Sequence, residues 1–352
     1  MLAPIKTNLR AKLLIKAAFL LTAAFIAPLI ASAQTTPPAR PCFDFTGTGR
    51  TSFATINRSS TNIIWRILSN AQGGGGVQTI FYGLSGLDNP TPGYFDNDNR
   101  ADLNVYRAAA GTYFLRPSTA TTPNTFQAIQ FGLPTDITGR EADYDGDGRD
   151  DPTVIRDGGS TLVWFILRSS TNTVSVVNFG RPGFASSTAT GDIPIAGADY
   201  NGDGRAEITV IRNDPAGADT YLAGDSVTGA IVLAQPWGEF DTDFYVVGDY
   251  LGDRRADFAV YRAFAGGTNG NWFIRENGGT GTVTRLFGLT SLASVTDRPI
   301  CGDYNGDGKQ DIAIYRSANS SFYWLNSPDF NTFSGIQFGA PGDFPVAGLR
   351  AF

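Results

Sequence analysis

The chain has 352 residues with 27 basic and 33 acidic side chains, a net charge of −6, and no histidine. Without histidine it lacks the commonest general base and the commonest transition-metal ligand, so Ser-His-Asp catalysis and zinc sites are excluded. An acidic chain is also a poor partner for nucleic acid or an anionic membrane.

In chain order the first element is a leader. Lys6, Arg10, Lys12 and Lys16 precede an apolar run from Ala17 to Ile30, and Ala31-Ser32-Ala33 offers small residues for cleavage. This predicts a secretory signal peptide over residues 1–33 and a protein that is secreted, periplasmic or held at the cell surface. The alternative is an N-terminal membrane anchor, against which stand the shortness of the run and Pro28 within it. No later stretch is apolar enough to span a bilayer, and loss of the leader's four cations takes the net charge from −6 to −10. Residues 34–40 read as a short linker and residues 41–352 as a single domain.

That domain is a repeat. DFTGTGRTS begins at Asp44, YFDNDNRAD at Tyr94, DYDGDGRDD at Asp143, DYNGDGRAE at Asp199, DYLGDRRAD at Asp249 and DYNGDGKQD at Asp303. Successive starts are 50, 49, 56, 50 and 54 residues apart. A period of that length marks an array whose units bury their apolar faces against one another.

The fifth copy shows the unit. Phe244-Tyr245-Val246-Val247-Gly248 reads as a first strand, followed by the acidic loop, then Phe258-Ala259-Val260-Tyr261-Arg262 as a second. A turn over residues 266–270 leads to Asn271-Trp272-Phe273-Ile274-Arg275, and a fourth strand runs from Thr282 to Gly288. The second strand ends in arginine at Arg107, Arg156, Arg212, Arg262 and Arg316, with Asn57 in the first copy. Such an arginine pairs with a nearby carboxylate or binds a ligand. The third strand carries Trp65, Tyr113, Trp164, Tyr221, Trp272 and Tyr323, and the fourth ends in aromatic-Gly. Aromatics needed once per unit are core between units. Four short antiparallel strands per unit predict an all-β fold, a β-propeller of six four-stranded blades, with seven blades or a β-solenoid as alternatives. A strand near Pro41-Cys42-Phe43 and another from Asp343 to Leu349 lie at the two ends, so one terminal strand should complete a blade begun by the other. Cys42 and Cys301 share a register in the first and last copies, and an even count in an exported chain favours a disulfide.

The loops carry the chemistry. Calcium takes six to eight oxygens, and acids at positions 1, 3, 5 and 9 of a tight loop can wrap them around one ion. The third copy offers Asp143, Asp145, Asp147 and Asp151; the fourth, Asp199, Asn201, Asp203 and Glu207; the sixth, Asp303, Asn305, Asp307 and Asp311. The fifth keeps Asp249, Asp253 and Asp257 but has Leu251 at position 3 and Arg254 in place of glycine. The second keeps Asp96, Asp98 and Asp102 behind Tyr94, while the first retains only Asp44 beside Thr46, Thr48 and Ser52. Ca²⁺ is the expected cofactor, at the full loops first.

First strand, acidic loop and second strand together resemble the FG-GAP or VCBS-type repeats of integrin-like β-propellers, over residues 41–349. The resemblance implies structural calcium between the first two strands of a blade and a role in extracellular binding or adhesion. The function expected is a secreted, monomeric, non-catalytic calcium-binding propeller that binds an extracellular protein or glycan. A propeller lectin is the first alternative and a calcium-dependent polysaccharide-degrading enzyme the second. Against the enzyme, almost every acid belongs to a loop or recurs once per copy, as Asp88, Asp136, Asp192, Asp243, Asp297 and Asp343 do. A catalytic pair should instead break the repeat in one place.

Overall fold

A computed structural model describes residues 40–350, apart from 69–74, 123–124, 184–190, 215–216, 240–241, 264–268, 292–293 and 296. The leader and the linker up to residue 39 lie outside the described residues, as does most of the turn expected over 266–270.

Six antiparallel sheets follow one another around a ring, a six-bladed β-propeller. The second blade is Asp88–Pro90, Leu103–Arg107, Thr112–Arg116 and Gln127–Gln130; the fourth is Asp192–Ala198, Glu207–Arg212, Thr220–Gly224 and Ile231–Pro236. The sixth is Asp297–Ile300, Ile312–Arg316, Ser321–Leu325 and Phe333–Gln337. The fifth, Asp243–Gly248, Asp257–Ala263, Asn269–Arg275 and Thr282–Ser291, adds the short edge strand Ser294–Val295. Helix is confined, among the described residues, to 3-10 turns at Ala108–Ala110 and Val346–Arg350.

Burial falls from the axis outward. Second strands such as Leu103–Arg107 are buried on both faces, whereas the outer strand Ile231–Pro236 is mostly exposed. The core lies between blades, where Trp65, Tyr113, Trp164, Tyr221 and Trp272 are fully buried. In the sixth blade that register belongs to Phe322, which faces Tyr315 across the strands, and not to Tyr323 as the sequence suggests. A one-residue slip puts a side chain on the opposite face, so Tyr323 instead stacks on Phe333 at 5.9 Å.

Two inner strands differ from expectation. In the third blade, Thr153–Asp157, Leu162–Arg168 and Thr173–Asn178 form a three-stranded sheet, and the inner strand is reduced to the bridges Ile137↔Ile155 and Ala142↔Asp151. Its sequence there is Thr138-Gly139-Arg140-Glu141, where the fourth blade has Pro194-Ile195-Ala196-Gly197. In the first blade, Pro41-Cys42-Phe43 is not a strand. The inner place is taken by Phe344–Pro345 from the C-terminal end, which pairs with Ala54–Asn57 ahead of Asn62–Leu68 and Val77–Leu84.

Closure is reinforced twice. Cys42 and Cys301 form a disulfide with Cα atoms 5.9 Å apart, joining the start of the first repeat to the sixth blade. The loops also form a ring of backbone hydrogen bonds, in which position 8 donates to the position 1 carbonyl of the preceding loop. Ala101 N–H donates to Asp44 O, Asp150 to Tyr94, Ala206 to Asp143, Ala256 to Asp199, Gln310 to Asp249, and Thr51 to Asp303, at 2.5–2.7 Å. The sixth of these bonds crosses the seam between the two ends of the chain.

The once-per-copy aspartates are also structural. Asp88, Asp136, Asp192, Asp243 and Asp297 take two guanidinium nitrogens of Arg107, Arg156, Arg212, Arg262 and Arg316 respectively. Each also accepts a backbone N–H just after the preceding blade's aromatic-Gly, so it ties two blades together. In the first blade Asn57 replaces the arginine, and Arg66 reaches Asp343 from the next strand at 2.7 Å.

Candidate functional site

The third to sixth loops are each built around two of their predicted ligands. The position 1 carboxylate folds back into its own loop: Asp143 accepts the N–H groups of Gly146 and Gly148 at 2.6 and 2.8 Å. Asp199, Asp249 and Asp303 do the same with positions 4 and 6 of their loops. The position 9 side chain accepts the N–H of position 2, as Asp151 does from Tyr144 and Glu207 from Tyr200. Asp102, Asp257 and Asp311 repeat this, and in the first loop the hydroxyl of Ser52 substitutes. These are the geometric reasons that positions 1 and 9 stay polar even where a loop has lost its other acids.

Carboxylate oxygens converge in two loops among the described residues. Asp143, Asp145 and Asp151 in the third, and Asp96, Asp98 and Asp102 in the second, each bring three oxygens within 4.8 Å of one another. The second loop thus gathers a cation-sized nest although Tyr94 occupies its first position. In the third, Asp147 stands apart, bound by Arg149 and by the Ser169 hydroxyl at 2.9 Å. In the fourth, the Asn201 amide nitrogen bridges Glu207 and Asp203, and Asp203 also meets Arg205 at 3.3 Å. In the sixth, Asn305 turns to the Ser327 carbonyl and the Ser327 hydroxyl bonds Asp307. Asp249, Asp253 and Asp257 of the fifth do not form such a group.

Gathering acids in partly buried loops is costly, and their proton affinities reflect it. Burial, with neighbouring carboxylates adding to it, pushes Asp102 and Asp151 up to about 7 and Asp143 up to about 6. Glu207 and Asp257 rise to about 7 and Asp311 to about 6, again chiefly by burial. Asp147 goes the other way: burial raises it, but hydrogen bonds from Arg149 and Ser169, together with the Arg149 charge, outweigh burial and hold it below its usual value.

The loops surround a central funnel of about 500 Å³. Position 7 is basic in all six, at Arg50, Arg100, Arg149, Arg205, Arg255 and Lys309. Arg100, Arg205, Arg255, Lys309 and Arg50 lie across the position 4 glycine of the preceding loop; a Cβ on Gly252 would come within 2.3 Å of the Lys309 side chain. That glycine therefore serves its neighbour as well as its own positive φ of 84°.

Acids break the repeat at the irregular wall of the third blade, at Glu141 and Asp150. Arg350 reaches across the channel, donating to the Glu141 carbonyl at 2.7 Å and lying 3.7 Å from Asp150. The Glu141 carboxylate accepts from the Tyr113 hydroxyl at 2.7 Å and is raised by burial. Asp150 accepts the Tyr94 N–H at 3.0 Å. The signal was present as Arg140-Glu141 in a strand that is apolar elsewhere. Both carboxylates are committed to structural bonds, Asp150 on the wall of the funnel and Glu141 on that of a smaller pocket. Compared with known proteins, the chain matches no family model, and no curated protein or solved structure is significantly similar to it.

Proposed function

We propose that the chain is a calcium-stabilised, non-catalytic propeller of the FG-GAP/VCBS type that serves outside the cell as a binding or adhesion module for a protein or glycan. The observation that carries the metal is the convergence of three carboxylates in each of the second and third loops. Oxygen-only nests of that size suit a hard cation, and calcium accepts the irregular geometry more readily than magnesium does. Asp143, Asp145 and Asp151 would hold one ion, and Asp96, Asp98 and Asp102 another. Asp199, Asn201, Asp203 and Glu207, and Asp303, Asn305, Asp307 and Asp311, would hold further ions once their amide side chains turn an oxygen inward. The ion's charge would neutralise acids that burial now penalises, and would pin loops already linked around the ring.

Metal counting on the purified protein tests this. Asp145→Ala and Asp98→Ala should each release one bound calcium and Thr48→Ala none, because the first loop keeps only Asp44. Added calcium should raise the melting temperature and EDTA lower it by mass action. An unchanged melt with no calcium bound would sink the metal reading. A glycan array with and without calcium would separate a glycan-binding module from a protein-binding one.

A further inference from the structure

We propose that the half of the central funnel walled by the fourth, fifth and sixth blades binds a small ligand carrying two or more anionic groups. The inference rests on the reading of the chain as a binding module, but not on its calcium. It starts from a break in the repeat. The fifth loop has three acids and two arginines, against five acids and one arginine in the third. Leu251 has displaced one acid and Arg254 has displaced a glycine. Arg254 holds φ at +71°, in the left-handed region where the other loops place Gly49, Asn99, Gly148, Gly204 and Gly308. A bulky residue is disfavoured there, and strain of this kind concentrates at functional positions.

Arg254 lines the funnel, and so do Arg205, Arg255 and Lys309. Arg255 and Lys309 make no ion pair among the described residues, and Arg205 has only a partly exposed contact of 3.3 Å with Asp203. Arg255 and Lys309 are also held in place, since each crosses the glycine of the preceding loop. The acids that share the wall do not cancel them equally. Asp143, Asp199, Asp249 and Asp303 are turned into their own loops by backbone N–H donors. Asp150 is taken by Tyr94 and Arg350. Asp253 is the remaining acid on this arc, and it accepts the Arg255 N–H at 2.9 Å. The funnel's volume of about 500 Å³ lies within the range of small-molecule sites. Guanidinium groups gathered along one concave wall favour carboxylate, sulfate or phosphate groups over neutral ones.

Titration calorimetry at low salt tests this with three probes: sucrose octasulfate, trigalacturonate and unmodified sucrose, each with added calcium and in EDTA. A sulfated or a uronate probe should bind one to one while sucrose gives no heat, and the stronger of the two tells which anionic group is preferred. Arg254→Gly combined with Lys309→Gln should weaken binding at least about tenfold, the loss expected from two charge-assisted contacts. Arg254→Gly alone restores the glycine of the neighbouring loops, so this variant should melt higher while binding less. Arg50→Gln combined with Arg100→Gln alters ring cations outside the funnel and should leave affinity within about twofold. If neither anionic probe saturates at one to one, or if the control pair weakens binding as much as the funnel pair, the inference is wrong. Calcium counted in the same samples keeps the readings apart, because anion binding can fail with calcium retained, and calcium can be absent with anion binding intact.

Discussion

The sharpest test of how the ring is held lies at its seam. In five blades a buried aspartate takes both ends of an arginine fork from the second strand. In four of those blades the arginine also stacks on an aromatic of the third strand, Phe114, Phe165, Phe273 or Tyr323. The first blade exchanges these parts. Asn57 stands where the arginine should be, and Arg66, opposite Thr55, stands where the aromatic should be. Asp343 is wholly buried and Arg66 is 23% exposed. Breaking a buried ion pair by removing one partner costs about 3–5 kcal/mol. Asp343 would keep Thr55, Asn57 and the Ala340 N–H as donors at 2.7, 2.8 and 2.9 Å. Arg66→Ala should therefore fall at the low end, near 3 kcal/mol. The double variant Asn57→Arg, Arg66→Phe rebuilds the arrangement of the other blades and should return to within about 1 kcal/mol of the parent. Urea unfolding of the oxidised protein measures both. If Arg66→Ala stays within about 0.5 kcal/mol of the parent, or the double variant is no better than Arg66→Ala, the clasp does not hold the seam.

Two further outcomes follow from charge and topology. Asp102, Asp151, Glu207 and Asp257, held at about 7 by burial, bind protons in the folded chain at a pH where the unfolded chain has released them. Their contribution is complete below the unfolded values and is lost as pH rises through about 7, so in EDTA the melting temperature should fall from pH 5 to pH 8. Saturating calcium should flatten that slope; a melt in EDTA that rises over this window contradicts the assignment. The Cys42–Cys301 link spans 259 residues, worth about 5 kcal/mol in the chain-entropy model. Replacing both cysteines with serine should cost a large part of that, and two free thiols in the denatured, unreduced protein would show that the link is not made.

The ring was legible because its signals recur. Period, strand alternation, the arginine at each second-strand end and the terminal half-blade all follow from one unit that must bury its faces against copies of itself. What the sequence hid were contacts between copies. Nothing in the loop motif says that the position 8 N–H serves the preceding loop, or that the position 4 glycine makes room for a neighbour's arginine. The acids at positions 1, 3, 5 and 9 look equivalent as ligands. Only the fold separates Asp145, which joins a nest, from Asp147, which is claimed by Arg149. Tyr94 reads as damage to the second loop until its hydroxyl is seen donating to Pro41 O and accepting from Asp44 N–H.

Coupling between neighbouring loops also explains why the departures from the repeat come in pairs. Asp150 stands where other loops have alanine, glutamine or threonine, and its carboxylate accepts the N–H of Tyr94, the residue that departs in the preceding loop. Asn57 and Arg66 exchange roles on adjacent strands around one aspartate. Leu251 and Arg254 depart together in the loop that Lys309 crosses. A substitution at one position 1 or position 4 alters the site of a side chain on the next blade, so a lone change leaves a buried polar group or a packed cation without its counterpart. Compensated pairs keep the ring closed.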